Sequence, residues 1–233
     1  MNFDPPLVRG TLVRRYKRFL ADVELDDGRL ITAHCPNPGS MKTCAEPGWT
    51  AWVTPATNPK RKLQWTLEML ESDRGPILVN TGRPNRIVEE AIESGAVAEL
   101  TGYATLRREV AYGTGSRIDL LCSDPNRPDC YVEIKNVTYL VAEGLAAFPD
   151  GVSKRATKHM EELTHMVAAG HRAAVFFLVS RTDATAMRPA DTIDPAYGAA
   201  LRDAVSRGVE AIAYRLEFDA NRVFTGPRIP IEL

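Results

Sequence analysis

The chain has no excess of charge of either sign: 29 Lys and Arg stand against 30 Asp and Glu, a net charge of -1 over 233 residues. A protein so balanced cannot hold nucleic acid through its whole field, and any grip must come from local clusters. No run of about 18 apolar residues is present, so no membrane span is expected. The first residues, MNFDPPLVRG, lack the charged start and apolar core of a signal peptide. Cysteine is scarce. Cys35, Cys44, Cys122 and Cys130 form no CxxC pair, which argues against a zinc ribbon. Without an export signal they are expected to be reduced thiols in a cytoplasm. There is no internal repeat, no low-complexity tract and no helix-turn-helix signature. The hydrophobic content of 44% and charged content of 25% are those of an ordinary globular protein of one or two domains.

The most informative stretch is Ser116 to Thr138, SRIDLLCSDPNRPDCYVEIKNVT. Two apolar runs, Ile118 to Cys122 and Tyr131 to Val137, flank a turn at Asp124–Pro128 and predict a hairpin. Side chains alternate along a strand, so Glu133 and Lys135 share one face and Val132 and Ile134 the other. If the hairpin pairs, Asp119 lies beside them. Two carboxylates suit Mg²⁺, a hard cation that keeps several waters. A neighbouring Lys can hold a nucleophilic water and stabilise charge in a transition state. The same three residues would also serve as a structural ion pair.

Around this hairpin the chain divides in two. Residues 7–54 read as short strands, with Asp27-Gly28 a hairpin turn. Leu63 to Leu70 adds a further strand. Five or so strands in roughly 75 residues suit a small barrel, either an OB-fold or an SH3-like one. Gly and Pro near 75–84 mark a boundary, dividing the chain into 1–82 and 83–233. Pro84 then opens a helix to about Ser94, with Ile87, Val88, Ala91 and Ile92 as its apolar stripe. Glu89 and Glu90 flank that stripe equally, and helical phase cannot choose between them. Next come a strand at Thr105–Tyr112, the hairpin, and a long helix over Val152–Ala169. Its apolar face is Val152, Ala156, Met160, Leu163 and Val167. Ala173–Ser180 reads as a strand covered on both faces. A helix over Pro195–Arg207 and a last strand over Val209–Phe218 complete an α/β pattern of a mixed sheet with helices on its faces.

A helix, a strand, an Asp on the next strand, Glu-x-Lys on the next and then a helix resemble the PD-(D/E)XK nuclease core. Almost end to end, the chain also resembles the sugar fermentation stimulation protein A family. The segments that carry this include LVRGTLVRRYKRFLADVEL, HCPNPGSM, PNRIVEEAI, YGTGSRIDLL, YVEIKNVT and FPDGVSKRATKHMEEL. The resemblance implies an N-terminal OB-like five-stranded β-barrel for nucleic acid over 1–82. It implies a PD-(D/E)XK nuclease-like mixed sheet flanked by helices over 83–233. It further implies DNA binding and a link to sugar utilisation. Residue by residue it assigns Asp119 and Glu133 as metal ligands for Mg²⁺, or Mn²⁺, and Lys135 as the catalytic lysine. It prefers Glu90 to Glu89 as the helix acid. Arg117-Ile118-Asp119 stands where Pro-Asp would be expected, which still leaves the metal its aspartate.

Basic residues with interleaved aromatics suggest a strand-binding groove on the barrel. One set is Arg14, Arg15, Tyr16, Lys17 and Arg18, with Arg9 and Phe19 beside it; a second is Lys60, Arg61 and Lys62 with Trp65. Alternatively these are solvated strands whose Tyr16 and Phe19 fill the barrel. Lys154 and Lys158 share a polar helix face with Arg155 near its edge. In HCPNPGSM, His34, Asn37 and Ser40 are candidates to contact phosphate or bases, or simply to build a tight loop. His159 falls in the apolar stripe of its helix and reads first as a core histidine. Trp49, Trp52, Phe176 and Phe177 read as core. Three functions remain open: a Mg²⁺-dependent nuclease on DNA, a DNA-binding regulator that does not cut, and an RNA-processing factor.

Overall fold

The computed structural model describes residues 1–113, 115–219 and 221–233. Thr114, inside the YGTGSRIDLL segment, and Ala220 lie outside the described residues.

The N-terminal unit is built from β1 (Val8–Tyr16), β2 (Leu20–Leu25), β3 (Leu30–His34), β4 (Thr50–Pro55) and β5 (Trp65–Ser72), followed by β6 (Gly75–Leu78). The order β3-β2-β1-β4-β5-β6 closes through a pairing of β3 with β5, His34 opposite Thr66, which makes the five-stranded barrel of an OB-fold. Alternation drives it. Leu12, Ala21, Val23, Ala33, Val53 and Leu67 point inward and are fully buried. Gly10 is required where β1 meets β2, because a Cβ there would lie 2.5 Å from the Glu24 carbonyl oxygen.

In the C-terminal unit, α1 (Pro84–Glu93) precedes β7 (Thr105–Tyr112), β8 (Ser116–Asp124) and β9 (Arg127–Val137). Then come β10 (Tyr139–Ala142), β11 (Leu145–Phe148), α2 (Lys154–Ala168), β12 (Arg172–Val179), β13 (Ala186–Pro189), α3 (Pro195–Ser206), β14 (Glu210–Asp219) and β15 (Arg222–Arg228). The main sheet runs β15-β14-β12-β9-β8-β7, with β9, β12 and β14 parallel and both edges antiparallel. β12 is buried over nearly its whole length at the centre of that sheet. One face packs on α1 and the other on α2 and α3. Ser153 caps α2 and Asp194 caps α3 by accepting backbone N–H bonds, and Asp194 also accepts from the Ser153 N–H at 2.8 Å, which joins the two helix starts. The result is a nuclease-like mixed sheet flanked by helices. No helix among the described residues is long and apolar enough to cross a membrane.

Several local expectations change. The β8–β9 turn is tighter than Asp124–Pro128, because β9 already begins at Arg127. Val152 precedes α2 and is 75% exposed, so it is not part of that helix's buried face. Phe19 does not fill the barrel; it is 43% exposed. Phe176 and Phe177 are fully buried, whereas Trp49 and Trp52 are half-buried. A second sheet, β10-β11-β13, and the edge strand β15 are additional, so β14 is not the last strand. Residues 1–3, expected with the barrel, lie along the C-terminal sheet instead: Asn2 bridges to Arg222, and the Val223 N–H donates to the Met1 carbonyl at 2.9 Å. All four cysteines are buried and free.

The two units are joined tightly. Met69 and Leu78 of the barrel belong to the same apolar core as Ile87 and Ile92 of α1 and Leu120 and Phe176 of the sheet. Fully buried Glu68 accepts hydrogen bonds from Thr54 Oγ1 (2.9 Å), Asn80 Nδ2 (2.7 Å) and the guanidinium of Arg83 (2.9 and 2.5 Å). Buried Arg181 donates to the carbonyls of Thr43 (2.8 Å) and Thr138 (2.9 Å) and pairs with Asp183. A loop of the barrel is thereby tied to the end of β9.

Candidate active site

The hairpin β8–β9 brings Asp119 and Glu133 together. Leu120 pairs with Val132, and the next residue inward on each strand carries a carboxylate. Asp119 is fixed from two sides, Oδ2 by the Ile134 N–H (2.7 Å) and Oδ1 by Asn85 Nδ2 of α1 (2.9 Å). Glu133 is only 3% exposed. Its Oε1 takes Lys135 Nζ at 2.6 Å and the Nδ1 of His159 from α2, while its Oε2 has no hydrogen-bond partner. Lys135 and Glu133 share a face, as strand alternation requires.

The electrostatics separate the two acids. Burial, and next the Glu133 charge, push the Asp119 carboxyl above its ordinary value despite its two hydrogen bonds. Burial also works to raise Glu133, but His159 and Lys135 outweigh it and hold that carboxyl low. Tyr112 lies over the same place. Its hydroxyl is buried without a partner, and burial together with Glu133, Glu162 and Asp119 drives its pKa far up. Glu162, buried on α2 beyond His159, has an ion pair with Lys158 at 3.3 Å.

Asp119 and Glu133 suit a hard divalent cation. Both are oxygen donors, and Glu133 Oε2 is a buried carboxylate oxygen without a hydrogen-bond partner among the described residues. Among the described residues no set of three or more His, Cys, Asp or Glu side chains is arranged around a metal position. The protein's share of such a site is therefore this pair, with waters and substrate supplying the remainder, as is usual for Mg²⁺.

Glu90 has partners of its own. Its carboxylate meets the amino terminus of Met1 (2.8 Å) and Arg86 (2.9 Å). The α1 flank that reaches β8 carries Asn85 and, one turn on, Glu89, whose Oε1 accepts from Arg108 Nε of β7 at 2.7 Å. The side of α1 was ambiguous in the sequence, and the resemblance resolved it toward the flank that faces the N-terminus. Asn85 had no signal at all. His159 was visible in the apolar stripe, but nothing in the helix itself shows that this stripe meets Glu133.

The basic residues of the barrel separate by what they already bind. Arg14 is paired with Asp22 (2.8 Å), lies over the Tyr16 ring, and shares Asp22 with the Tyr16 hydroxyl (3.2 Å). Arg15 donates to the carbonyls of Asn37, Gly39 and Ser40 and so braces the HCPNPGSM loop. In that loop, Asn37 is buried against the Val79 carbonyl and Ser40 binds Asp150. Lys17 and Arg18 form the tip of the β1–β2 hairpin, and Lys60, Arg61 and Lys62 lie exposed between β4 and β5.

The comparisons agree with this geometry. The family model described as the sugar fermentation stimulation protein RE domain matches residues 82–222, and that described as the SfsA N-terminal OB domain matches 13–80. This chain belongs to the sugar fermentation stimulation protein family. A family homolog from Geobacter sulfurreducens is 53% identical over 97% of this chain and 96% of its own. One from Thioalkalivibrio sulfidiphilus is 56% identical over 91% and 90%. Among solved structures, Pyrococcus furiosus SfsA in complex with Ca²⁺ superposes with a TM-score of 0.89 at 26% identity, covering 100% of this chain and 98% of that one.

Proposed function

We propose that this family member is a divalent-metal-dependent nuclease that binds DNA through the barrel and hydrolyses phosphodiester bonds at Asp119 and Glu133. One observation carries the reading: a buried carboxylate pair with an unpartnered oxygen, Glu133 Oε2, set beside a lysine on the face of a nuclease-like sheet. The solved relative in complex with Ca²⁺ supports a role for a hard divalent cation in this fold. Mg²⁺ is the cation proposed, with Mn²⁺ as a substitute.

Asp119 and Glu133 would hold the ion, which when bound supplies a more acidic water and neutralises charge on a phosphoryl oxygen. Asn85 and the Ile134 N–H keep Asp119 aimed. His159 and Lys135 keep Glu133 ionised and turned so that Oε2 stays free. Lys135, 11% exposed at its side chain, holds a positive charge where a scissile phosphate would develop negative charge. Glu90 is engaged by the Met1 amino terminus and Arg86.

The test is cleavage of labelled single- and double-stranded DNA and of RNA with Mg²⁺, Mn²⁺ or EDTA, beside Asp119→Ala and Lys135→Ala. Metal-dependent cleavage lost in both variants, with binding retained, is the expected result. Binding without cleavage in any metal would overturn the nuclease and leave a DNA-binding regulator.

A further inference from the structure

We propose that Arg18, Phe19, His34 and Arg61 form a platform for single-stranded nucleic acid on the barrel. It deepens the function above by naming the form of the substrate, and rests only on its nucleic-acid half. One groove opens between the barrel and the sheet domain, and a smaller one lies on the barrel and ends at Arg83. The larger, about 780 Å³, is lined by Arg15 and Arg18 on one side and by Asn136, Phe148 and Val152 on the other. Asn136 follows Lys135 directly. The smaller, about 360 Å³, is lined by His34, Arg61, Thr66 and Arg83. Arg83 lies two residues before Asn85, the partner of Asp119. Each groove thus includes a sequence neighbour of the carboxylate site, while Asp119, Glu133 and Lys135 line neither.

Phe19 lies between them. It follows Arg18 of the larger groove, and its ring centroid is 6.5 Å from that of His34 in the smaller. It is one of the few large apolar side chains left exposed, as is Val152 on the facing wall. Neither Arg18 nor Arg61 has an ion-pair partner among the described residues, unlike Arg14 and Arg83. The hairpin tip adds an independent observation. Lys17 and Arg18 both adopt left-handed backbone (φ 46° and 64°), a conformation easy for Gly or Asn and costly for long side chains. Both are exposed, so packing does not account for them. Long cations are held there against backbone preference.

A ligand for this surface must offer negative charge to Arg18 and Arg61 and a flat apolar face to Phe19. A single strand offers both, whereas a duplex hides its base faces in the stack. Acidic groups also line the grooves: Asp150, held by Ser40 at 2.9 Å, and exposed Asp4.

The experiment is fluorescence anisotropy in EDTA, which reads binding without cleavage. The probes are oligothymidylate and oligouridylate of about 15 nucleotides and a duplex of equal length. Expected is preference for one or both single strands over duplex. Phe19→Ala should lose roughly 5- to 150-fold and Phe19→Tyr should recover it. Arg18→Ala should flatten the salt dependence by about one ion. Each variant's melting temperature checks that it folds. Equal or tighter duplex binding, or Phe19→Ala within twofold of wild type, overturns the platform. A failure to cleave with Mg²⁺ bears on the nuclease alone.

Discussion

Replacing His159 with Ala tests whether α2 orients the carboxylate that is free to take a cation. Glu133 Oε1 has two partners, Lys135 and His159, and Oε2 has none. His159→Ala removes one of the two restraints on the carboxylate and the bond that most lowers its pKa. Outer-shell partners of metal ligands typically contribute 10- to 100-fold in affinity or activity. Lys135 still holds Glu133, so the expected loss is at the lower end, about tenfold, or about 1.4 kcal/mol. The assay is calorimetric titration of the protein with Mn²⁺ at neutral pH and without nucleic acid. Lys135→Ala is the comparison: it removes the other restraint on Glu133 but also an ammonium that repels an incoming cation, so Mn²⁺ affinity should fall less than for His159→Ala while turnover disappears. His159→Ala with unchanged Mn²⁺ affinity would refute the orienting role. A fall for Lys135→Ala as large as that for His159→Ala would refute the division of labour between the two.

Other outcomes follow from the same contacts. Asn85→Ala should weaken Mn²⁺ binding, whereas Glu90→Gln should leave it within twofold; the reverse order would restore Glu90 to the site. Glu68→Ala breaks a buried ion pair and should cost about 3–5 kcal/mol, read as a melting temperature lower by roughly 6–20 °C; a loss under about 0.5 kcal/mol, the scale of an ordinary surface change, would show that the junction does not depend on it. Asp119 titrates above its ordinary value in the folded chain, so the fold holds its proton more tightly than the unfolded chain does. Metal-free stability attributable to Asp119 should therefore fall as pH rises from the ordinary carboxylate value through the raised one. Asp119→Asn should gain on wild type across that window, and parallel pH profiles of the melting temperature would contradict this.

The barrel was legible because short strands follow one another with turn punctuation, Asp27-Gly28 among it. The carboxylate hairpin was legible because period two puts Glu133 and Lys135 on one face. Other elements left little trace. β10, β11 and β13 have four residues each, too few for a period to show. β15 contains Gly226 and Pro227, which read as turn chemistry and are tolerated because it is an edge strand. The roles of Asn85 and His159 depend on how helices seat on the sheet, which no local pattern encodes. The basic residues were visible, but their partners were not: Asp22 takes Arg14 and a loop takes Arg15, leaving the hairpin tip and Arg61 for other work.

The core shared by Met69, Leu78, α1 and the sheet has a consequence for how the molecule comes apart. A barrel and a separate mixed sheet suggest two independent melting events. Here neither can open without wetting the other's interior, and Glu68 and Arg181 bind the seam on either side. Calorimetry should therefore record one transition, with van't Hoff and calorimetric enthalpies equal. Two architectures would then behave as a single foldon, and the mouth between them would keep a fixed width.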